Sequence, residues 1–262
     1  MDVIVDTLVH VFPGKPGRAG SAPRPALDGL SFRVPAGQFV ALVGPSGCGK
    51  STLLRLAAHL LQPTAGSIRL AGLTPGQAAA ERRIAWMAQS PALLPWRTAR
   101  GNVALAARFL PPGAARLAPN EALARVGLAD AADAFPFMLS GGMQQRLALA
   151  RTLTLPADLW LMDEPFAALD ELTRERLTTE LLDLWQRPIS GQHPSLGQRP
   201  TVLWVTHNLS EALRLADRVL VLSPRPGRLR ADLAVDLPRP RDDASPAFLS
   251  LLKTLRKALE HG

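Results

Sequence analysis

Residues 38–52 read Gln38-Phe39-Val40-Ala41-Leu42-Val43-Gly44-Pro45-Ser46-Gly47-Cys48-Gly49-Lys50-Ser51-Thr52, and their reading decides the fold. The run 38–43 is short, apolar and partly β-branched, and it stops at Gly44, which predicts a buried strand. Residues 50–61 are rich in helix formers with apolar positions on one side, and the turn chemistry of 62–66 closes them. Strand, glycine-rich loop and helix in this order fit the spacing GxxxxGK[ST]. Glycines let the backbone wrap a phosphate chain with its N–H groups inward, Lys50 brings a point charge toward the terminal phosphates, and the Ser51 hydroxyl can ligate Mg2+. The plain alternative is an ordinary glycine-rich turn, but such a turn seldom supplies Lys-Ser at a helix start. Cys48 stands inside the loop near a helix N-terminus, a setting that favours a thiolate; an unreactive small residue is the simpler reading.

A second anion-favouring element follows about ninety residues later. Leu139-Ser140-Gly141-Gly142-Met143-Gln144-Gln145-Arg146 places a serine and two glycines just before an Ala/Leu/Arg-rich stretch that predicts a helix over 142–155. Free backbone N–H groups gather at such a helix start.

Leu159-Trp160-Leu161-Met162-Asp163-Glu164 is an apolar strand ending in two adjacent carboxylates. The chain turns at a strand end, so both can reach one phosphate region by different routes. Asp163 suits the Mg2+ shell, and Glu164 suits the positioning or deprotonation of an attacking water. His207 follows the apolar run 202–206, at the edge where ligands gather in open parallel sheets. Taken alone, it would more often be a structural or surface histidine. Gln89 follows the short strand 84–87 and can reach the metal or the water through its amide, although a single glutamine carries little information.

The rest of the 262 residues sets limits. Strands are expected at 2–11, 30–34, 67–70, 84–87, 159–162, 201–205 and 219–222, and helices at 171–186, 210–216 and 246–260. Alternating strands and helices argue for a mainly parallel sheet. Residues 91–133 have weaker strand character and several helix-length stretches, broken at 111–113 and Pro119, which reads as a helical lobe inserted into an α/β core. Proline and glycine make 15–25 and 188–200 loops. One cysteine excludes an intrachain disulfide framework and suits a reducing compartment. No secretory signal is expected, and the most apolar span, 53–61, is interrupted by Arg55 and His59 and falls short of the roughly 20 residues that cross a bilayer. The formal charge of +8 is spread over the whole length, and no basic block is interleaved with aromatics, so specific nucleic-acid binding is not expected.

The ordered set of 44–52, Gln89, 139–146, Asp163-Glu164, Ala168-Leu169-Asp170 and His207 resembles the ATP-binding subunits of ABC transporters over roughly residues 2–235. The resemblance implies an α/β P-loop NTPase core with a mainly parallel sheet, an N-terminal antiparallel β subdomain and an inserted helical lobe. It places the ATPase domain at 1–240, with the lobe at about 91–150, and leaves 241–262 as a C-terminal tail with a short helix. It implies ATP and Mg2+, with Gly44, Pro45, Ser46, Gly47, Cys48, Gly49, Lys50, Ser51 and Thr52 around the phosphates. Ser51, Gln89 and Asp163 would serve the metal. Glu164 and His207 would be catalytic. Phe12 would stack on adenine, and Asp170 would be the aspartate that follows the acid pair. Ser140, Gly141, Gly142 and Gln144 of one copy would close on the γ-phosphate held by Lys50 of a second copy.

Leu94-Pro95-Trp96, Asn102-Val103, Asp163-Glu164-Pro165-Phe166 and Ser223-Pro224-Arg225-Pro226-Gly227 are similar to phrases of the nitrate, sulfonate and taurine importer group. That group implies an integral-membrane permease partner. Leu93, Leu94 and Trp96, apolar in a loop that should otherwise be polar, point to the segment 89–100 with the lobe as the docking surface; the alternative is that they pack inside the lobe. The group also implies a periplasmic or lipid-tethered solute-binding protein acting indirectly, and a peripheral place on the cytoplasmic face of the inner membrane. Solutes would be nitrate, sulfonates, taurine or pyrimidine precursors. The alternative is a soluble ABC ATPase acting on nucleic acid or ribosomes, which would need a coiled-coil arm or two fused cassettes. A GTPase would need an NKxD motif, and none of Lys15, Lys50, Lys253 and Lys257 follows an asparagine. Four departures from the family pattern stand out: no tyrosine to stack on adenine, His59 where glycine is usual, Asn208 where an acid is usual after the switch histidine, and a loop at 188–200 longer than usual.

Overall fold

The computed structural model describes residues 1–14, 22–110, 117–186 and 199–260. The expected break at 111–113 and most of the loop expected at 188–200 lie outside the described residues. The chain divides into two compact units, residues 1–80 with 201–262 and residues 81–200. Among the described residues, no helix is long and apolar enough to cross a membrane.

The first unit carries two sheets. β1 (Val3–Phe12) lies between β2 (Arg24–Val34) and β4 (Ala65–Leu70), antiparallel to both. β2 begins at Arg24 and not near residue 30, so residues 24 and 25 of the expected loop are strand, while residues 15–21 lie outside the described residues. Pro25 enters the ladder because β2 is an edge strand, where a missing N–H can face away from the neighbour. In the other sheet, β3 (Phe39–Val43) runs parallel between β7 (Thr201–Val205) and β8 (Arg218–Leu222). Every residue of β3 and β7 is buried, which accounts for their unbroken apolar sequences. β9 (Leu229–Ala234) closes the edge antiparallel to β8. Its sequence, Leu-Arg-Ala-Asp-Leu-Ala, gives no local strand signal, because pairing with β8 and the Arg218–Asp232 ion pair across the two strands fix it.

α1 (Lys50–Ala57) is shorter than the expected 50–61. Leu60 N–H returns to the Arg55 carbonyl at 2.8 Å and His59 N–H to Leu56 at 3.1 Å, with His59 at φ 59°. This is a Schellman stop with histidine in the left-handed position that glycine normally fills. The His59 ring packs where a Cβ on Gly76 would stand, 3.0 Å from Nε2. α2 (Pro75–Ala80) starts with a capping box the sequence reading missed: Thr74 N–H donates to the Gln77 side chain at 2.9 Å, and Gln77 N–H to the Thr74 hydroxyl at 3.3 Å. α7 (Leu209–Leu215) follows β7, and α8 (Pro246–Glu260) packs on α7 and β8 through Phe248, Leu252 and Leu255.

The second unit pairs β5 (Ile84–Met87) in parallel with β6 (Leu159–Asp163). Around them lie α3 (Ala99–Ala107), α4 (Pro119–Arg125), α5 (Gly141–Leu153) and α6 (Glu171–Gln186). A part-buried ion pair, Arg83 Nε to the buried Asp158 at 2.7 Å, ties the entrances of the two strands together.

Candidate functional site

In the first unit the phosphate loop lies between β3 and α1. Gly49, at φ 105°, is the residue before the helix, and a Cβ there would meet the Ala26 carbonyl oxygen and Leu27 Cδ2 at 2.7 Å each. A side chain is excluded both by the backbone conformation and by the space. α1 has no acidic residue in its first turn, so the positive end of its dipole faces the loop uncompensated. Lys50 is buried, and its ammonium donates to the carbonyls of Gly44 at 2.7 Å and Pro45 at 3.0 Å. The charge is therefore held inside the loop by backbone oxygens. Thr52 is buried and Ser51 half-buried beside it. Ser46 and Gly47 are exposed on the loop, whereas Cys48 is fully buried, which favours the unreactive reading of its thiol.

His207 sits at the neighbouring strand end. Leu42 pairs with Val205 in register, and Thr206 N–H bonds the Leu42 carbonyl at 3.3 Å, so Gly44 and His207 leave adjacent parallel strands side by side. Thr206 is buried, while His207 is exposed. Asn208 caps α7 by accepting from Glu211 N–H at 3.1 Å, so an amide oxygen serves where the family uses an acid. Phe12 ends β1 half-buried, its ring edge-on to His10 with centroids 4.7 Å apart.

In the second unit, Met87 pairs with Met162, so Gln89 and the acid pair emerge at the same ends of two adjacent strands. Asp163 is the last residue of β6 and is buried. Glu164 follows in the left-handed region, φ 48°. For a glutamate this conformation costs about 1–3 kcal/mol, and it turns the chain directly after Asp163. This is the physical form of the strand-end turn that lets neighbouring carboxylates serve one region.

Ser140 caps α5 by accepting from Met143 N–H at 3.3 Å. Gly141 faces open space, and a Cβ on Gly142 would stand 3.3 Å from the Ala168 carbonyl oxygen. No acidic residue occupies the first turn of α5. Gln144 points backward: its amide donates to the carbonyls of Pro136 at 2.9 Å and Leu139 at 3.2 Å, so it braces the turn before Ser140. Asp170 accepts from Thr173 N–H at 2.9 Å and so caps the start of α6. That backbone bond, with one from the Thr173 side chain, holds its carboxyl below the ordinary range.

Two residues shape the loop before α3: Arg151, which the sequence did not single out, and Asn102, which it offered only as part of an importer-group phrase. Asn102 is fully buried; its side-chain oxygen accepts from Leu94 N–H at 2.8 Å, and its amide nitrogen reaches the carbonyls of Leu94, Arg97 and Thr98 at 3.1, 3.0 and 3.1 Å. Arg151 donates to Pro91 and Ala92 carbonyls at 2.8 and 2.9 Å, and burial lowers its pKa. The loop so held leaves Leu93 and Leu94 half-buried and Trp96 70% exposed. The signal for Asn102 was an uncharged amide inside an apolar helix face, where a side chain has to find partners.

Comparison with known proteins agrees with this arrangement. The family described as ABC transporter matches residues 27–167. The aliphatic sulfonates import ATP-binding protein SsuB of Pseudomonas putida is 48% identical over 229 residues, 87% of this chain and 78% of that protein. The uncharacterized ABC transporter ATP-binding protein MJ0412 of Methanocaldococcus jannaschii is 42% identical over 237 residues, 90% of this chain and 84% of that one. Among solved structures, the ATP-binding cassette MJ0796 in a dimeric post-hydrolysis state with ADP and Pi superposes with a TM-score of 0.74 at 27% identity. The match covers 90% of this chain and 99% of the cassette. With the phosphate loop, the acid pair and the serine-capped helix in family order, the chain belongs to the ABC transporter family, as an ATP-binding and ATP-hydrolysing cassette on the α/β P-loop NTPase fold.

Proposed function

We propose that this ATPase powers an importer of sulfonate-type solutes, working as two copies beneath an integral-membrane permease at the cytoplasmic face of the inner membrane. A periplasmic or lipid-tethered binding protein would deliver the solute, which is an alkanesulfonate, taurine, nitrate or a pyrimidine precursor. The observation that carries the two-copy reading is that the α5 start at Ser140-Gly141-Gly142, like the α1 start at the phosphate loop, has no acidic residue in its first turn, so one chain carries a second anion-favouring helix start besides its own phosphate loop. The dimeric cassette structures support it, and the identity to sulfonate import proteins supports the solute class.

In this reading Lys50 exchanges two backbone carbonyls for phosphate oxygens, a trade of neutral acceptors for charged ones. Loop N–H groups and the α1 dipole hold the phosphates, and Phe12 packs against adenine. Ser51, Asp163 and Gln89 offer a hydroxyl, a carboxylate and an amide oxygen, the hard donors that Mg2+ takes, and the ion when bound would neutralise charge on the β- and γ-phosphates. Glu164 orients and deprotonates the water, and His207 holds the γ-phosphate side of the site. Ser140, Gly141 and Gly142 of the second copy supply N–H donors to the same phosphate.

Ser140→Arg tests the shared site. The variant keeps ATP affinity within a few-fold, while hydrolysis by the dimer falls about a hundredfold or more, the scale of losing positioned donors at a developing charge. Full-rate hydrolysis by the variant refutes the arrangement. For the solute, a strain lacking the gene should lose uptake of one of labelled alkanesulfonate, taurine, nitrate or pyrimidine precursor, and unchanged uptake of all four refutes the class.

A further inference from the structure

The bonds around His207 form a closed circuit. Asn208 N–H donates to the Thr206 hydroxyl at 3.0 Å, Glu211 N–H to the Asn208 side-chain oxygen at 3.1 Å, and the Trp204 indole N–H to Glu211 Oε1 at 2.7 Å. Trp204 and Thr206 both precede His207 along β7 and its end. Trp204, Thr206 and Glu211 are buried, whereas His207 is exposed.

Glu211 occupies the third position of α7, where a capping-box acid would turn back to the N–H of the capping residue. Here the Asn208 N–H is taken by Thr206, and the Glu211 carboxylate bonds a buried indole instead. That indole lies against Phe39, with ring centroids 5.7 Å apart, and Phe39 begins the strand that carries the phosphate loop. α7 has only seven residues, too few to hold an orientation by its own helical bonds. Its placement, and with it the direction of His207, has to come from tertiary contacts, and the Trp204–Glu211 bond is a buried one. Breaking a buried hydrogen bond leaves its polar groups unsatisfied away from water, which is costly.

We infer that Glu211 and Trp204 are positioning residues for ATP hydrolysis: the Trp204 indole fixes the Glu211 carboxylate, which sets α7 and so aims His207 at the γ-phosphate side of the phosphate loop. This rests on the proposed role of His207.

The test measures kcat and KM for ATP with the full-length chain carrying Glu211→Ala, Glu211→Gln, Trp204→Phe, the pair Glu211→Ala with Trp204→Phe, or His207→Ala. Trp204→Phe keeps a ring against Phe39 while removing the donor and the remainder of the indole, so it carries the test even if Glu211→Ala fails to fold. Glu211→Ala and Trp204→Phe should each lower kcat about tenfold with KM within about twofold, and the pair should lose no more than the worse single variant, since both remove one bond. Glu211→Gln keeps an oxygen for the indole and should recover most of the rate. Parental turnover in His207→Ala would overturn the role of His207 and the inference with it. Lost turnover in His207→Ala beside parental kcat in Trp204→Phe would overturn the positioning alone, as would losses that multiply in the pair.

Discussion

Replacing Asn102 with alanine should cost the protein more than any surface change, and the sum can be worked group by group. The Leu94 and Thr98 carbonyls keep backbone partners, Arg97 N–H at 3.1 Å and Asn102 N–H at 2.8 Å. The loss therefore falls on Leu94 N–H and the Arg97 carbonyl, both of which Asn102 serves from a fully buried position. At about 1–2 kcal/mol for each polar group left unsatisfied, the total is about 3 kcal/mol. For a chain of this size that lowers the melting temperature by about 6–12 °C. Thermal unfolding followed by circular dichroism reads the shift, and hydrogen exchange on residues 94–98 reads the loosened loop. A melting temperature within about 2 °C of the parent, with exchange in 94–98 unchanged, would refute the reasoning, because the four contacts would then be geometry without energy.

Two other outcomes follow from the same structure. Trp96→Ala removes an exposed apolar side chain from a loop that Asn102 and Arg151 hold rigid, so it should leave stability and basal ATPase rate unchanged and abolish co-purification with the permease; retained co-purification would reject the docking role. A hydrogen bond from Arg214, then its charge, holds the Asp243 carboxyl below its ordinary value of 3.8. An acid depressed in the folded state contributes stability that is present above pH 3.8 and lost as pH falls through the lower folded value. Asp243→Asn should therefore melt lower than the parent at pH 7 and converge with it in strong acid, whereas equal melting at pH 7 would show that the half-buried pair contributes nothing.

Much of the candidate site was legible because its chemistry is local. A glycine at a left-handed turn, a lysine and a hydroxyl at a helix start, and a serine capping a helix with an acid-free first turn are settled by neighbours in sequence. The strands 38–43, 159–162 and 201–205 were legible for a related reason: strands buried on both faces read as unbroken apolar runs. His59 was visible only as a departure, and the structure supplies its meaning as a left-handed helix stop. What stayed hidden depends on groups far apart in sequence. β9 exists because β8 offers it a ladder, and Pro25 can join β2 because that strand is an edge.

The sequence by itself determined the phosphate loop, the acid pair, the serine-capped helix and their order, since each is a matter of residue type and spacing over a few positions. Tertiary structure alone decided that β3 lies between β7 and β8, which sets the phosphate loop beside His207. It also decided that Glu164 takes a left-handed turn, that Gln144 faces its own loop, and that Glu211 is bound by an indole seven residues earlier. Burial forces each polar group to find a partner, and a partner is chosen by what the fold brings near, which spacing along the chain does not record.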